Sequence, residues 1–372
     1  MNKKGSSKID RKDLMYLPKD RHEEYIILRN NPSKTMEDLN RFPTYISIEP
    51  TPDCNAACRM CPLAHGDENN LKLISDDLFE KIINEIRPHS KTINQIQVQG
   101  RGEALLDNNI AHKVDVISNS LNIITTMSTN ASLLTPAIAE DLLDANLGSI
   151  VLAIDSLDKD VYEKIRKKLV FDVTLENAIN FIELRNKKGA STQVRLRMVE
   201  QNPNSGEWDE YKKFWQPMLR PTDRLTLKKV HSFGNKLKIV DVRDIKTDLA
   251  SFPCHGLWGT FNIMYDGLVQ LCPGDAATLQ YILGNVTDET IEEIWHGKKL
   301  NGFKKAHLNG NKVPYHKCDS CRMWSEPSDY ENVGEKMFPE LFEKHPQFKH
   351  PMELAMREEP SNVNLDPSEK YV

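Results

Sequence analysis

Six short β-like runs alternate with amphipathic stretches between residues 45 and 230, and this alternation constrains the fold more than any other feature of the chain. The predicted strands cover 45–49, 95–99, 123–128, 150–154, 193–199 and 225–230. The predicted helices cover 75–87, 109–119, 136–145, 159–168, 175–187 and 207–218. Strands that alternate with helices favour parallel βα units with right-handed crossovers. Six units predict an α/β fold, a partial (β/α)6 TIM-like barrel, whose chemistry lies on loops at the C-terminal strand ends.

The pattern changes after about residue 235. Two β-like runs, 261–265 and 268–271, flank Asp266-Gly267, which predicts a β-hairpin with a tight turn, and a short helix is expected at 291–296. We divide the chain into a lead-in at 1–43, the barrel at 44–235, a small hairpin and loop-rich domain at 236–330, and a polar C-terminal tail at 331–372. A domain as small as the third has a weak core, which a bound metal commonly stabilises.

Charge and cysteine usage argue against several classes of function. A net charge of −5 indicates neither nucleic acid nor an anionic membrane as the main partner. No run approaches the ~18 consecutive apolar residues of a membrane span, and residues 1–12 lack the apolar core of a secretory leader. We therefore expect a cytoplasmic protein, in which thiols stay reduced. Seven cysteines, an odd number, argue against paired disulfides and favour metal binding or catalysis.

Three cysteines follow the first predicted strand at once. Cys54, Cys58 and Cys61 are spaced C-x3-C-x2-C, so that three thiolates on one loop can hold three irons of a [4Fe–4S] cluster and leave the fourth without a protein ligand. An iron left open in this way can bind the amine and carboxylate of S-adenosylmethionine (SAM). A structural zinc site is the alternative, with His65 as a fourth ligand, since closed zinc sites need four.

A downstream segment makes a family resemblance specific. The run Val98-Gln99-Gly100-Arg101-Gly102-Glu103 resembles the Gly-Glu-Pro segment of the radical SAM superfamily, although Ala104 stands at the proline position. Together with the cysteine loop, it makes the chain similar to that superfamily from about residue 45 to 321. The resemblance implies that Gly102 and Glu103 contact the methionyl amine of SAM. Glycine permits a close backbone approach, and a carboxylate suits an ammonium partner.

Further positions of this resemblance lie at the ends of later strands. Ser128 and Asn130 belong to a run similar to Thr-Asn-Gly, with Ala131 in place of the glycine. Asp155 lies in a run similar to Ser-x-Asp, with Ala153 in place of the serine, and a Tyr-Glu-x-Ile-Arg helix segment follows at 162–166. Met60 takes the position before the last cysteine, where the family often places an aromatic side chain near adenine. The resemblance implies that Met60, Ser128, Asn130 and Asp155 contact the cofactor.

Alternation on the fifth strand places Arg195 and Arg197 on one face and Val194, Leu196 and Met198 on the other. If the apolar face meets the helices, both arginines point into the barrel. There they can bind the carboxylate of SAM or an anionic group of the substrate. Because an interior arginine needs a partner in any case, a structural ion pair is the alternative.

The remaining four cysteines form a second group, consisting of Cys254, Cys272, Cys318 and Cys321. Their spacing resembles the auxiliary-cluster domains that many radical SAM enzymes carry, in the shortened form called Twitch rather than the larger SPASM. Four thiolates can ligate every iron of one further [4Fe–4S] cluster, which suits electron transfer. A zinc site with four cysteine ligands is the alternative.

The resemblance implies a radical SAM oxidoreductase that reductively cleaves SAM to a 5′-deoxyadenosyl radical and abstracts a hydrogen atom from its substrate. The auxiliary cluster would then accept an electron from the substrate. Twitch-bearing relatives favour a sugar- or aminocyclitol-like alcohol over a peptide, and an electron donor such as flavodoxin or ferredoxin is expected. Three alternatives remain: a SPASM-type peptide maturase, a non-catalytic iron–sulfur electron carrier and a zinc-stabilised interaction module.

Overall fold

The computed structural model describes residues 42–63, 71–230, 254, 256–308, 315 and 318. Nearly all of the predicted lead-in, the whole predicted tail, His65 and Cys321 lie outside these residues.

The six predicted strands of the barrel are confirmed to within one residue at each end. They pair in parallel in the order β1-β2-β3-β4-β5-β6. Their bounds are β1 Tyr45–Ile48, β2 Gln95–Val98, β3 Ile124–Thr129, β4 Ser149–Ala153, β5 Gln193–Glu200 and β6 Arg224–Lys229. Parallel pairing brings all six C-terminal ends to one rim of an open barrel, which confirms the predicted fold class.

Helices connect these strands as the periodicity predicts. They are α1 Asp76–Ile86, α2 Ile110–Asp115, α3 Pro136–Asp144, α4 Lys159–Ile165, α5 Phe171–Lys188 and α6 Trp208–Trp215. At the start of α1, the Ser75 hydroxyl accepts a hydrogen bond from the Leu78 amide at 3.2 Å, as the cap pattern predicts. Three helices are shorter than expected, and the last of them, α6, is followed by a 3₁₀ turn at Gln216–Met218. A π-turn, Val116–Ser120, follows α2, and α4 ends early because Arg166–Lys167 pairs with Ala57–Cys58 as a short antiparallel ladder.

Alternation on β5 is confirmed by burial. Val194, Leu196 and Met198 are buried on the helix side, whereas Arg195 and Arg197 are only partly buried on the other side. The same apolar layer continues across the sheet through Ile96 of β2 and the buried apolar side chains on the helix side of the other strands. The inward face of the barrel therefore carries mainly polar side chains, with Val151, in register with Arg195, as an apolar exception.

The C-terminal part continues the same sheet. Its elements are α7 Gly256–Gly259, β7 Thr260–Ile263, β8 Leu268–Gln270, β9 Ile282–Asn285, α8 Ile291–Trp295 and α9 Lys298–Leu308. Strand β7 pairs in parallel with β1, so within the described residues nine strands form one sheet in the order β9-β8-β7-β1-β2-β3-β4-β5-β6. The predicted hairpin is present, and Gly267 adopts a φ of 85° in its turn. The domain boundaries stay predictions.

A lysine is buried in the core of this C-terminal part. Lys304 of α9 is 5% exposed, and its Nζ lies 4.2 Å from the centre of the Trp295 ring. Desolvation by burial lowers the pKa of Lys304 from 10.5 to about 8. The unfolded chain therefore binds more protons than the folded chain between these two pKa values. As a result, the free energy of unfolding decreases as the pH falls through that window.

We expect Lys304→Met to raise the free energy of unfolding at pH 7 by about 2 kcal/mol, because an apolar side chain removes the desolvation cost and replaces the cation–π contact with sulfur–aromatic packing on Trp295. The free energy of unfolding of the wild type should increase between about pH 8 and 10.5, and this increase should be absent in Lys304→Met. Urea unfolding at several pH values measures both effects. Lys305→Met on the exposed side of α9 is the matched control. Equal pH profiles for wild type and Lys304→Met would show that the ammonium costs nothing.

Candidate active site

The cysteine loop leaves β1 at the rim where the parallel strands end. Cys58 pairs with Arg166 in the short ladder, and the Arg59 amide donates to the Ile165 carbonyl at 2.9 Å. The Cys61 amide donates to the Cys58 carbonyl at 3.0 Å and closes a turn between the second and third cysteines. Main-chain bonds thus hold the loop against the end of α4.

The three thiols are partly buried and close enough to influence one another electrostatically. Burial raises the pKa of Cys54 to about 12, a hydrogen bond from the Ala56 amide opposes that rise, and the negative charges of Glu103, Cys58 and Cys61 add to it. Burial likewise raises the pKa of the Cys61 thiol. Three thiolates can share this place only if a cationic group offsets their repulsion. A cysteine-ligated iron–sulfur core fits that requirement, because thiolates are its usual ligands.

Gly102 lies in the segment after β2, which approaches the cysteine loop so closely that a glycine is required. A Cβ atom at this position would lie 2.1 Å from the carbonyl oxygen of Asp53 and 2.6 Å from that of Thr51. The neighbouring Glu103 amide donates to the same Asp53 carbonyl at 2.8 Å. The segment after β2 therefore supports the main chain just before Cys54, and only a residue without a side chain fits there.

Glu103 is 4% exposed and accepts hydrogen bonds on both carboxylate oxygens. Oε1 accepts from the Thr129 hydroxyl at 2.7 Å and from the Leu105 amide at 3.2 Å. Oε2 accepts from the Asn130 amide at 2.8 Å. Burial raises the pKa of Glu103, and these hydrogen bonds to the charged form oppose the rise. One lone pair of Oε2 beyond these bonds can accept from a further donor.

An amide network joins the cysteine loop to the end of β3. Asn130 Nδ2 donates to Asn55 Oδ1 at 2.9 Å, and the Ser132 amide donates to Asn130 Oδ1 at 2.9 Å. Between Asn130 and Ser132, Ala131 adopts a φ of 64°, which glycine normally takes. The Asn130 side chain, predicted to bind cofactor, thus also holds the loop in place.

Asp155, just beyond the end of β4, is fully buried in an ion pair. Its Oδ2 accepts from Arg166 Nε at 2.6 Å, and its Oδ1 accepts from the Val199 amide at 2.8 Å. The same guanidinium places Nη1 3.5 Å from the Cys58 sulfur. The predicted cofactor residue Asp155 therefore reaches the cysteine loop through Arg166.

The other predicted cofactor residues lie on the inward face or beside the loop. Met60 is 8% exposed and packs with Ile165 and Val230. Arg197 Nη2 donates to the Ser128 hydroxyl at 2.9 Å, so these two predicted residues contact each other directly. Arg195 lies two residues before Arg197 on the same partly buried face of β5.

A charged contact at the rim was not predicted. Glu49, which follows β1, accepts from the Arg101 guanidinium at 3.0 Å and 2.9 Å and from the Tyr265 amide at 3.3 Å. This buried carboxylate joins the ends of β1 and β2 to the turn after β7. The sequence gives a signal only at Arg101, which stands between two glycines in the segment that carries the family resemblance.

The second cysteine group is described for three of its four members. Cys254 precedes α7, Cys272 follows β8, and the Cys318 amide donates to the Tyr315 carbonyl at 2.7 Å. The Cys254 amide donates to Nδ1 of His307, a buried histidine of α9, at 3.1 Å. All six cysteines in the described ranges carry thiols rather than disulfides. Within those ranges, no three His, Cys, Asp or Glu side chains surround a position for a single metal ion.

Comparison with known families assigns both halves of the chain. The radical SAM superfamily model matches residues 48–196, and the SPASM iron–sulfur cluster-binding domain matches residues 254–322. Residues 48–196 therefore form a radical SAM domain, and residues 254–322 form a SPASM-type iron–sulfur domain. These domains imply a SAM-binding [4Fe–4S] cluster, an auxiliary cluster and SAM itself. Among helices of the described residues, none is long and apolar enough to cross a membrane.

The chain is similar in sequence to one curated protein and in fold to two solved structures. A "Probable GTP 3′,8-cyclase" of Methanococcus aeolicus is 26% identical over 272 residues, which cover 64% of this chain and 88% of the relative. BtrN, solved with AdoMet and 2-DOIA, aligns with a TM-score of 0.51 at 15% identity over 77% of this chain and 96% of BtrN. SuiB of Streptococcus suis, solved with precursor peptide SuiA, aligns with a TM-score of 0.51 at 17% identity over 73% and 69%. The two structures share the fold.

We expect Gly102→Ala to lower the free energy of unfolding by about 1–3 kcal/mol, because the new methyl group meets main-chain atoms that no side-chain rotation can move. The iron bound after reconstitution should fall as well, since the displaced segment precedes Cys54. Urea unfolding of the metal-free protein and iron analysis measure the two effects. Gly259→Ala is the matched control, because its Cβ would meet its nearest atoms at 3.7 Å, an ordinary contact. Equal losses in both variants would contradict the account.

Proposed function

We propose that the chain is a radical SAM oxidoreductase that oxidises a small polar substrate, a sugar- or aminocyclitol-like alcohol. The observation that carries this proposal is a single loop with three neighbouring cysteines. This loop is held at the rim of a barrel whose inward face is mainly polar. When bound, the cluster and SAM supply a 5′-deoxyadenosyl radical that can take a hydrogen atom from an unactivated carbon. The chain supplies binding, orientation and exclusion of water.

The residues around the loop take distinct roles in this proposal. Cys54, Cys58 and Cys61 hold the cluster, and Glu103 accepts from the methionyl ammonium of SAM through the lone pair that its internal hydrogen bonds leave. Gly102 lets that segment approach the loop, and Met60 offers an apolar surface for adenine. Four more residues line the cofactor pocket in this proposal: Ser128, Asn130, Arg195 and Arg197. Asp155 acts on the site through Arg166.

Polarity of the inward face supports a hydroxylated substrate. The Ser47 hydroxyl donates to the Gln99 carbonyl at 2.7 Å, and Gln97 Nε2 donates to Gln99 Oε1 at 2.7 Å. Side chains of this kind can exchange their mutual hydrogen bonds for bonds to substrate hydroxyls. An apolar substrate would offer no hydrogen bonds to the polar groups that these mutual bonds leave over, at a cost of roughly 1–3 kcal/mol for each such group that it buries.

Oxidation of an alcohol to a carbonyl removes two electrons and two protons. In the proposed sequence, the substrate carbon gives one hydrogen atom to the deoxyadenosyl group. The remaining electron would pass to the auxiliary cluster, which Cys254, Cys272, Cys318 and Cys321 would hold, and the hydroxyl proton leaves to water. One external electron starts each turnover, and flavodoxin or ferredoxin is the proposed class of donor.

A second candidate function is radical chemistry on a nucleotide. Similarity to the GTP 3′,8-cyclase of M. aeolicus favours it, as do the two arginines on the inward face of β5, which suit phosphate groups. A peptide substrate, such as the one solved with SuiB, is a third outcome of the same test. Incubation of the reduced, reconstituted protein with SAM and an aminocyclitol, GTP or a peptide panel separates them by which substrate raises 5′-deoxyadenosine formation.

We expect the Cys54→Ala/Cys58→Ala/Cys61→Ala variant to form no 5′-deoxyadenosine after reconstitution and reduction. The Cys254→Ala/Cys272→Ala variant should still cleave SAM but should lose turnover of an alcohol substrate, because its electron acceptor is gone. Liquid chromatography of deoxyadenosine and of the oxidised product measures both. Cleavage of SAM by the triple variant would contradict the proposed site. Normal alcohol turnover by the double variant would contradict the electron-acceptor role alone.

A further inference from the structure

One guanidinium joins the cysteine loop to a buried carboxylate. Arg166 places Nη1 3.5 Å from the Cys58 sulfur and Nε 2.6 Å from Asp155 Oδ2. The side chain of Arg166 is 10% exposed, and that of Asp155 is 0% exposed. A positive charge with N–H donors is thus held against a sulfur that the proposed function assigns to the SAM-binding cluster.

The position of this guanidinium is fixed by the main-chain pairing of Arg166 and by the two hydrogen bonds that hold Asp155 in place. The main chain of Arg166 pairs with Cys58 in the short ladder, so the side chain starts beside the sulfur. Asp155 cannot rotate away, because its Oδ1 accepts from the Val199 amide at 2.8 Å. Its main-chain carbonyl accepts from Asn204 Nδ2 at 2.6 Å. Asp155 therefore holds the arginine, and the arginine contacts the cysteine.

A donor and a positive charge beside a cluster sulfur have a definite effect on an iron–sulfur centre. Hydrogen bonds to the ligand sulfurs and the local net charge are among the factors that set its reduction potential. Both factors favour the reduced form, because it carries one more negative charge than the oxidised form. Asp155 opposes the charge effect in part, yet it accepts from Nε, whereas the sulfur faces Nη1.

We infer that Arg166 is a positioning residue that raises the reduction potential of the SAM-binding cluster through its N–H···S contact with Cys58. The inference rests on the proposed function in one respect, that Cys58 is a cluster ligand. It adds that the chain itself favours entry of the electron that starts each turnover, and that Asp155 is required because it orients Arg166.

Two variants remove the contact in different ways. Arg166→Met removes charge and donor, but it leaves the Asp155 carboxylate buried without its partner, which commonly destabilises a fold. The double variant Asp155→Asn/Arg166→Met removes both charges, and the new carboxamide oxygen keeps an acceptor for the Val199 amide. Arg166→Lys retains the charge and tests for rescue. Lys167→Gln is the matched control, because Lys167 lies next in the same ladder and is exposed.

The readout is a redox titration of the reconstituted protein without substrate, followed by electron paramagnetic resonance. The SAM-binding cluster is recognised as the one whose signal changes when SAM is added. At a fixed poise we expect the ratio of reduced to oxidised cluster to fall about tenfold in Arg166→Met, which is 59 mV for one electron. The fall should be smaller in the double variant, because the opposing charge of Asp155 is removed as well. Arg166→Lys should recover part of this loss, and Lys167→Gln should match wild type.

Several outcomes separate this inference from the proposed function. If Cys58→Ala keeps a SAM-responsive cluster with full iron content, the proposed site is wrong. Suppose that wild type loads a SAM-responsive cluster, and that Arg166→Met and Asp155→Asn/Arg166→Met bind as much iron as wild type at an unchanged reduction potential. In that case the inference alone is overturned. It is overturned as well if both variants fail to bind iron, because Arg166 would then be a structural support of the loop.

Discussion

The site depends on main-chain hydrogen bonds that tie the cysteine loop to the ends of neighbouring elements. The loop has little regular structure of its own, and a thiol can stay near two others only if its backbone is held. Three ties do this: the Glu103 amide to Asp53, the Arg59 amide to Ile165, and the pairing of Cys58 with Arg166. Gly102 makes the first possible, because any side chain there would occupy the space of the Asp53 carbonyl.

The two halves of the chain meet at the same rim. Strand β7 adds to β1 in parallel, and the Glu49 amide donates to the Ile263 carbonyl at 2.9 Å. The Glu49 carboxylate then bridges Arg101 and the Tyr265 amide. An ion pair buried in this way stabilises only with good geometry and full hydrogen bonding, and the paired bonds from Arg101 provide both. The segment that approaches the cysteine loop is thus also tied to the turn after β7.

Much of this could be predicted from the sequence, for physical reasons that also set the limit. Period-two alternation reports which face of a strand is buried, so β5 was predicted with its arginines on the correct face. Cys54, Cys58 and Cys61 lie within one loop, so their proximity needs no knowledge of the fold. The contact between Arg166 and Cys58 joins residues 108 positions apart in the sequence. Helical periodicity predicts that α4 continues through Arg166, because a local pattern contains no information about pairing with a distant strand. The pairing of β7 with β1 is likewise a long-range contact without a local pattern.

The central claim is that Cys54, Cys58 and Cys61 ligate three irons and leave the fourth to SAM. Electron–nuclear double resonance of the reduced protein with SAM labelled at the methionyl nitrogen and carboxylate oxygen tests it most directly. Couplings of both nuclei to the cluster, abolished in Cys58→Ala, are the predicted result. A cluster without coupling to either nucleus, or a fourth protein ligand on that iron, would contradict the account.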